Sequence, residues 1–150
     1  MGSVYSQVMN FKRKYPKTIT HHRLKKHSEI VERHLNPGEK VNYVFAAQKN
    51  AGLFDFFETA VIAITNERLL IGQKRVLFGY FLSAVTPDLY NDMQVNSGIL
   101  WGSITIDTVK EKLDFSNIDN RALPEIETQI TSFMMEAKKK YKKSKDSNND

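Results

Sequence analysis

Hydrophobic and polar positions alternate in short runs through the middle of the chain, from residue 41 to residue 115. Turn-forming pairs such as Asn66-Glu67 and Pro87-Asp88 separate the runs. The β-branched run 58–65 is typical of a strand that is buried on at least one face. Strict alternation around Ile104 and Ile106 indicates a strand with one buried side. The pattern predicts about seven short strands, which begin near residues 41, 58, 68, 78, 89, 100 and 112.

A long amphipathic helix is predicted from Ala122 to about Lys143. Its apolar residues recur at spacings of three and four and so share one face. They are Leu123, Ile126, Ile130, Phe133, Met134, Ala137 and Tyr141. Asp119 and Asn120 supply cap-type side chains, and Pro124 is tolerated because it lies in the first turn. We expect this stripe to pack over the strands that precede it.

The N-terminal third is predicted to hold one more helix, from His21 to Leu35, which Asn36-Pro37-Gly38 ends. Residues 1–10 carry little pattern. The chain is therefore divided into an N-terminal basic segment with a helix (1–38), a strand-rich domain with its closing helix (39–143) and a disordered tail (144–150).

Composition places the chain among ordinary globular proteins. Of its 150 residues, 41% are hydrophobic and 26% are charged, and none is cysteine. Disulfides and thiolate metal sites are thereby excluded. Apolar runs are too short to span a membrane, and the first ten residues lack the apolar core of a secretion signal. We expect a cytoplasmic protein.

The net charge of +5 is unevenly distributed. Residues 1–50 carry +7, residues 51–120 carry −4 and residues 121–150 carry +2. The candidate cations for contact with an anionic surface are Lys12, Arg13, Lys14, Lys17, Lys25 and Lys26. They form either an anion-attracting patch or a solvated, mobile tail. The acidic body and the lack of an evident aromatic platform disfavour nucleic acid as the partner.

An aromatic cluster follows the first predicted strand. It comprises Leu53, Phe54, Phe56 and Phe57. One interpretation is that these side chains fill the core or start the second strand. The other is that they form an exposed loop that docks a partner or enters a membrane interface.

Motifs of catalysis are missing from the sequence. There is no phosphate-binding glycine loop, no nucleophile elbow and no acidic calcium loop. The four histidines lie between residues 21 and 34, but no two have the i, i+4 spacing of a helical metal pair. We therefore predict no catalytic residue, no metal and no cofactor.

Three segments resemble the bacterial pleckstrin-homology-like (PH-like) domain families. They are residues 64–71 (ITNERLLI), 98–106 (GILWGSITI) and 113–118 (LDFSNI), and the resemblance covers about Lys40 to Lys140. It implies an α+β, mainly β fold. In this fold about seven antiparallel strands form two near-orthogonal sheets of a barrel, which a C-terminal α-helix caps. The N-terminal helix is an addition to it.

The resemblance implies a non-catalytic interaction or assembly module that binds a protein partner, and an oligomer is possible. The alternative is a peripheral binder of an anionic membrane surface, through the basic N-terminal segment and the phenylalanine-rich loop. Phosphoinositide-binding PH domains place several cations along the first two strands and their loop. Here Lys49 is followed by Asp55 and Glu58, which disfavours that ligand.

The sequence also predicts structural roles for single residues in these motifs. Gly98 and Gly102 indicate positive φ or a close backbone approach. Trp101, the sole tryptophan, is expected to seal one end of the barrel. Arg68 either pairs with Asp107 or Asp114 across the strands or remains solvated.

Overall fold

The computed structural model describes residues 3–21, 23–50, 57–75 and 78–148. Within these ranges, three helices and seven strands follow one another. They are α1 (Ser3–Lys14), α2 (Leu24–Arg33), β1 (Val41–Asn50), β2 (Phe57–Thr65), β3 (Leu69–Lys74), β4 (Tyr80–Val85), β5 (Tyr90–Ser97), β6 (Trp101–Thr108), β7 (Lys112–Asp119) and α3 (Leu123–Ser147). Short 3₁₀ helices at Pro87–Leu89 and Asn120–Ala122 precede β5 and α3.

The seven strands form one curled antiparallel sheet in the order β4-β3-β2-β1-β7-β6-β5. Its two halves join where β1 pairs with β7, at Gln48 opposite Ser116 and Lys49 opposite Phe115. Away from this short junction β1 and β7 separate, so the sheet curls into a half-barrel. The predicted PH-like architecture is confirmed, with strand starts within two residues of the expected ones.

The first half of α3 fills the inside of the half-barrel. Leu123, Ile126, Ile130 and Met134 are buried in the main core with residues of all seven strands or their flanks. Tyr141 is 62% exposed, so the apolar stripe serves as core only over its first half. The helix continues to Ser147, four residues beyond the predicted end near Lys143.

Helices α1 and α2 cover the outer face of the first half of the sheet. Val4 and Val8 of α1 and Val31 of α2 are fully buried there. They pack in one cluster with outward-facing residues of β1 to β3, namely Val44, Ala46, Val61, Ala63 and Leu70. Because one face meets α3 and the other meets these helices, β2 and β3 are apolar on both sides.

The absence of a prediction for residues 3–14 was an error. Val4, Val8, Phe11 and Tyr15 are spaced four, three and four apart, which is a helical pattern, and all four are buried. Phe11 and Tyr15 even reach the main core, where the Phe11 ring lies 6.2 Å from that of Phe45. The basic segment around residues 11–15 is thus packed and is not a mobile tail.

After α1 the chain is tied to the strands by hydrogen bonds. Thr18 Oγ1 accepts from the Asp119 amide at 3.0 Å, and the Ile19 amide donates to the Asn117 carbonyl at 2.9 Å. The His21 amide donates to Thr59 Oγ1 at 2.8 Å. Thr18 is also fully buried, so the segment that follows α1 is packed against the sheet.

A buried ion pair braces the β2–β3 hairpin. Arg68 donates through Nε and Nη2 to the two carboxylate oxygens of Glu39 at 3.1 and 3.0 Å, and Nη2 also donates to the His34 carbonyl. Thr65 Oγ1 donates to the same carboxylate and accepts from the Glu67 and Arg68 amides. The expected partners Asp107 and Asp114 are wrong, because Arg68 faces the end of α2.

Candidate functional site

Three consecutive apolar side chains project from the β5–β6 hairpin. Ile99 is 98% exposed, Leu100 57% and Trp101 38%. We call these three residues the apolar tip. Elsewhere in the described residues, exposed large apolar side chains such as Val109 do not occur three in a row. Contiguous exposed apolar patches are typical of contact surfaces, so the apolar tip is a candidate site.

Two glycines and one asparagine hold the apolar tip in place. A Cβ on Gly98 would lie 2.3 Å from the Trp101 carbonyl oxygen, and one on Gly102 would lie 2.4 Å from Leu123 Cδ1. The Asn120 side chain donates to the Gly98 carbonyl at 2.9 Å. The expectation of close backbone approach is therefore confirmed, and neither glycine has a positive φ.

Trp101 lies against the N-terminal segment and does not close the barrel. Its indole Nε1 donates to the Lys17 carbonyl at 2.7 Å, and its ring remains more than one-third exposed. The expected sealing role is wrong, because α3 and Phe11 fill the interior instead. The contact brings Lys17 directly to the apolar tip.

Of the six candidate cations, two are engaged in internal contacts. Lys12 Nζ donates to the carbonyls of Pro16 and Thr18, and its burial lowers its pKa in spite of the nearby Asp119. Lys14 forms a 2.6 Å ion pair with Glu125, whose hydrogen bond raises the pKa of this lysine. Lys12 thus connects α1 to the segment that follows it, and Lys14 connects α1 to the first turn of α3.

The cations that adjoin the apolar tip are Lys17 and Arg121, which we call the basic rim. Lys17 is exposed and holds the Trp101 ring through its carbonyl. Arg121 is 60% exposed in its side chain and pairs at 2.7 Å with Asp119, which faces Trp101 across the β6–β7 pair. Hydrogen bonds from Arg121 lower the pKa of the buried Asp119 to about 2.

Arg13, Lys25 and Lys26 are exposed, and they lie in different places. Arg13 is in the last turn of α1, near the basic rim along the chain. Lys25 and Lys26 start α2, next to His27, whose Nδ1 accepts from the Lys74 amide at the far end of β3. The structure thus separates the six candidates into an α1 group and an α2 group.

Of the predicted aromatic cluster, Leu53, Phe54 and Phe56 lie outside the described residues. Phe57 is the first residue of β2, where it pairs with Asn50. The choice between core filling and docking for this cluster stays a prediction.

A groove lies between the start of β5 and the second half of α3. It has a volume of about 820 Å³. Its lining residues are Pro87, Asp88, Tyr90, Ala137, Lys138, Lys140, Tyr141, Lys142 and Ser144. We call it the β5–α3 groove. It is mostly apolar, with lysines along its helical side.

One family of known proteins matches this chain over most of its length. The family model for the bacterial PH domain matches residues 35–132, which is well over half of the chain. This chain belongs to the bacterial PH domain family. The resemblance stated from the three sequence motifs is confirmed. The comparison with curated proteins returned no match.

The matched region of this bacterial PH domain begins after α2. Helices α1 and α2 therefore lie outside the family match, although both are packed on its sheet. The apolar tip and the start of α3 fall inside the match, while the second half of α3 and most of the β5–α3 groove on that side lie beyond residue 132. The apolar tip thus lies within the matched region, whereas the β5–α3 groove combines matched residues with residues beyond the match.

Within residues 3–21, 23–50, 57–75 and 78–148, no group of three acidic or histidine side chains is placed to hold a metal ion. No helix in these ranges is long and apolar enough to cross a membrane. The PH domain family is generally built for interaction.

Sequence reasoning missed both candidate surfaces for identifiable reasons. Ile99 and Leu100 were noted as part of a family motif, but alternation cannot tell an exposed apolar residue at a turn from a buried one. Tyr141 continued the helical stripe and so was expected to be core. The signal for the tip was present: three apolar residues between two glycines at a hairpin turn.

Proposed function

We propose that this bacterial PH domain is a non-catalytic module that binds an extended peptide segment of a protein partner in the β5–α3 groove. The supporting observation is the position of this groove, with a volume of about 820 Å³, beside an edge strand. The module would act by binding its partner and not by catalysis, since the family is generally one of interaction domains.

Strand β5 offers main-chain groups for such a peptide. It is the last strand of the sheet, with β6 on one side and no described strand on the other. Half of the amide and carbonyl groups of an edge strand point away from the sheet and can pair with an added strand. An extended peptide can therefore gain affinity from its backbone, whatever its sequence.

The residues on the helical side of the groove indicate which kind of peptide would bind. Ala137 is partly buried and the Tyr141 ring is exposed, so together they offer a shallow apolar wall. Lys138 and Lys142 stand on the same wall and attract carboxylates. A segment with an apolar side chain next to acidic residues fits this combination.

Selection from a random-peptide phage library on the immobilised full chain tests this proposal. We expect enriched peptides that combine apolar and acidic residues. Synthetic copies should lose at least fivefold in affinity to Tyr141→Ala, because this variant removes the apolar wall from an exposed position without disturbing the core. The backbone amides of β5 should shift in NMR spectra when the peptide is added.

Met135→Ala is the matched control. Met135 is 55% exposed on the same helix and does not line the groove. Its substitution should leave the affinity unchanged. The proposal fails if no peptide is enriched, or if the selected peptides bind Tyr141→Ala as tightly as the unaltered chain.

A further inference from the structure

We infer that the apolar tip is a second and separate docking site, which inserts Ile99, Leu100 and Trp101 into the headgroup region of an anionic membrane. The basic rim of Lys17 and Arg121 then faces the lipid phosphates. This site lies on the β5–β6 hairpin and shares no residue with the β5–α3 groove.

The shape and composition of the apolar tip suit a lipid surface. Ile99 and Leu100 occupy the turn itself and are 98% and 57% exposed, so they project beyond the strands. A projecting tip needs a matching pocket in a protein partner, but none in a fluid bilayer. Insertion removes this apolar surface from water, which is favourable in proportion to its area.

Trp101 has the properties of a residue that lies at a membrane–water interface. Tryptophan concentrates at membrane–water boundaries because its ring is apolar and its N–H is polar. Here the N–H already donates to the Lys17 carbonyl at 2.7 Å. The ring can therefore enter the boundary region without leaving an unpaired donor, which would otherwise oppose insertion.

The hairpin holds the apolar tip in one conformation before it meets a membrane. The Gly98 amide donates to the Trp101 carbonyl at 3.0 Å, and Asn120 donates to the Gly98 carbonyl. A preorganised turn has less conformational entropy to lose on docking than a flexible loop.

Charge beside the tip has the sign that anionic lipid requires. Residues 12–17 carry four cations, and residues 119–125 carry one cation and two carboxylates, so the two segments together have a net charge of +3. The first segment contacts the second through Lys14 with Glu125, and Thr18, the next residue along the chain, accepts from the Asp119 amide. Clustered cations near an anionic leaflet strengthen attachment, and salt weakens that contribution.

The sole tryptophan makes the test direct. Full-length protein is mixed with vesicles of phosphatidylcholine containing phosphatidylglycerol, or of phosphatidylcholine alone, and binding is measured by co-sedimentation and Trp101 fluorescence. With anionic vesicles we expect binding, a shift of the emission to shorter wavelength, and quenching by lipids brominated on their acyl chains. Neutral vesicles should bind at least about tenfold more weakly, and high salt should reduce the difference.

The double variant Ile99→Ser/Leu100→Ser should lower the partition coefficient at least about tenfold, because it removes most of the inserted apolar surface. Lys17→Glu should weaken binding to anionic vesicles only. Val109→Ser is the matched control: Val109 is 64% exposed near the β6–β7 turn, and its substitution should change binding less than twofold. Tyr141→Ala, which disables the β5–α3 groove, should leave vesicle binding unchanged.

Four results would overturn the inference. They are no binding to anionic vesicles, binding without a change in Trp101 fluorescence, binding that survives Ile99→Ser/Leu100→Ser, and a concentration-dependent dimer in light scattering that this variant abolishes. The third result would move the contact elsewhere, for example to residues 53–57. The fourth would make the apolar tip an interface between copies of this chain.

Discussion

Glu39 and Arg68 show how much a single buried pair contributes to this fold. The Glu39 side chain is fully buried, and burial alone would raise its pKa. Hydrogen bonds from Arg68, the Asn36 amide and Thr65 outweigh burial and hold the pKa of Glu39 below its usual range. The charge is therefore kept inside the protein by donors on three residues, two of them on the β2–β3 hairpin.

Glu39→Gln should lower the free energy of unfolding by about 2–4 kcal/mol, because it leaves the guanidinium of Arg68 without its charged partner. Urea unfolding monitored by circular dichroism measures the change. Glu67→Gln is the control: this residue is exposed on the same hairpin, so its change should stay within about 0.5 kcal/mol. Equal effects of the two variants would contradict a structural role for the buried pair.

The sequence indicated the special residues of the motifs better than their partners. Close packing at Gly98 and Gly102 follows from the lack of a side chain, and it was predicted. The partner of Arg68 was not predicted, because Glu39 lies outside the strands. The pairing of β1 with β2, which sets Val41 opposite Thr65, brings Glu39 to the β2–β3 turn. Trp101 was misassigned for a related reason: its neighbour Lys17 belongs to a segment that looked like a tail.

At the scale of elements, α1 is the part of the fold that most changes the interpretation of the sequence. It covers the outer sheet face with Val4 and Val8 and enters the main core with Phe11 and Tyr15. Strands β1 to β7 and α3 were predictable because their apolar residues recur at regular spacings. Helix α1 is short and mixed with cations, so its spacing was overlooked.

Phe11→Ala should destabilise the whole domain by about 3–5 kcal/mol, although Phe11 lies outside the family match. Phe11 is 4% exposed and contacts the rings of Tyr15 and Phe45. Asn10→Ala, at an exposed position on the same helix, should change stability by less than about 0.5 kcal/mol. The measurement is the urea midpoint followed by far-ultraviolet circular dichroism.

Loss of α1 contacts alone, with the sheet still unfolding at its original urea concentration, would contradict this prediction. It would mean that α1 is an appendage to an independent barrel. The present contacts argue otherwise, since Thr18 and Ile19 continue from α1 to hydrogen-bond with β7.

At the scale of the whole molecule, the two candidate surfaces use different parts of the same half-barrel. The β5–α3 groove depends on an open sheet edge, and the apolar tip depends on the turn at the other end of β5. A module with both could hold a peptide while resting on a membrane. The sequence could predict the barrel but neither surface, because each depends on which apolar residues the fold leaves exposed.

Acid sensitivity of the whole fold should come first from His27. His27 lies on the buried face of α2 and is 4% exposed, and its Nδ1 accepts from the Lys74 amide at 2.7 Å. Burial, with a smaller effect of Arg23, lowers the pKa of His27 from 6.5 to about 4. Protonation would add a buried charge and break the Lys74 hydrogen bond.

Between pH 6.5 and pH 4 the unfolded chain therefore binds more protons than the folded one, so stability rises with pH. The contribution of neutral His27 is fully present above about pH 6.5 and is lost as the pH falls toward 4. Its full size is on the order of 3 kcal/mol. Urea unfolding at pH 7.5 and pH 4.5 should show most of this loss.

His27→Gln, which cannot titrate, should flatten the profile in that window by about 2 kcal/mol. Asp119→Asn is the control: because the pKa of Asp119 is about 2, its carboxylate contribution is lost only below about pH 4, and the slope above pH 4.5 should persist. A His27→Gln profile as steep as that of the unaltered protein would mean that other groups govern the acid response. The packing of α2 on the sheet would then accommodate a charged His27, in spite of the burial of this residue.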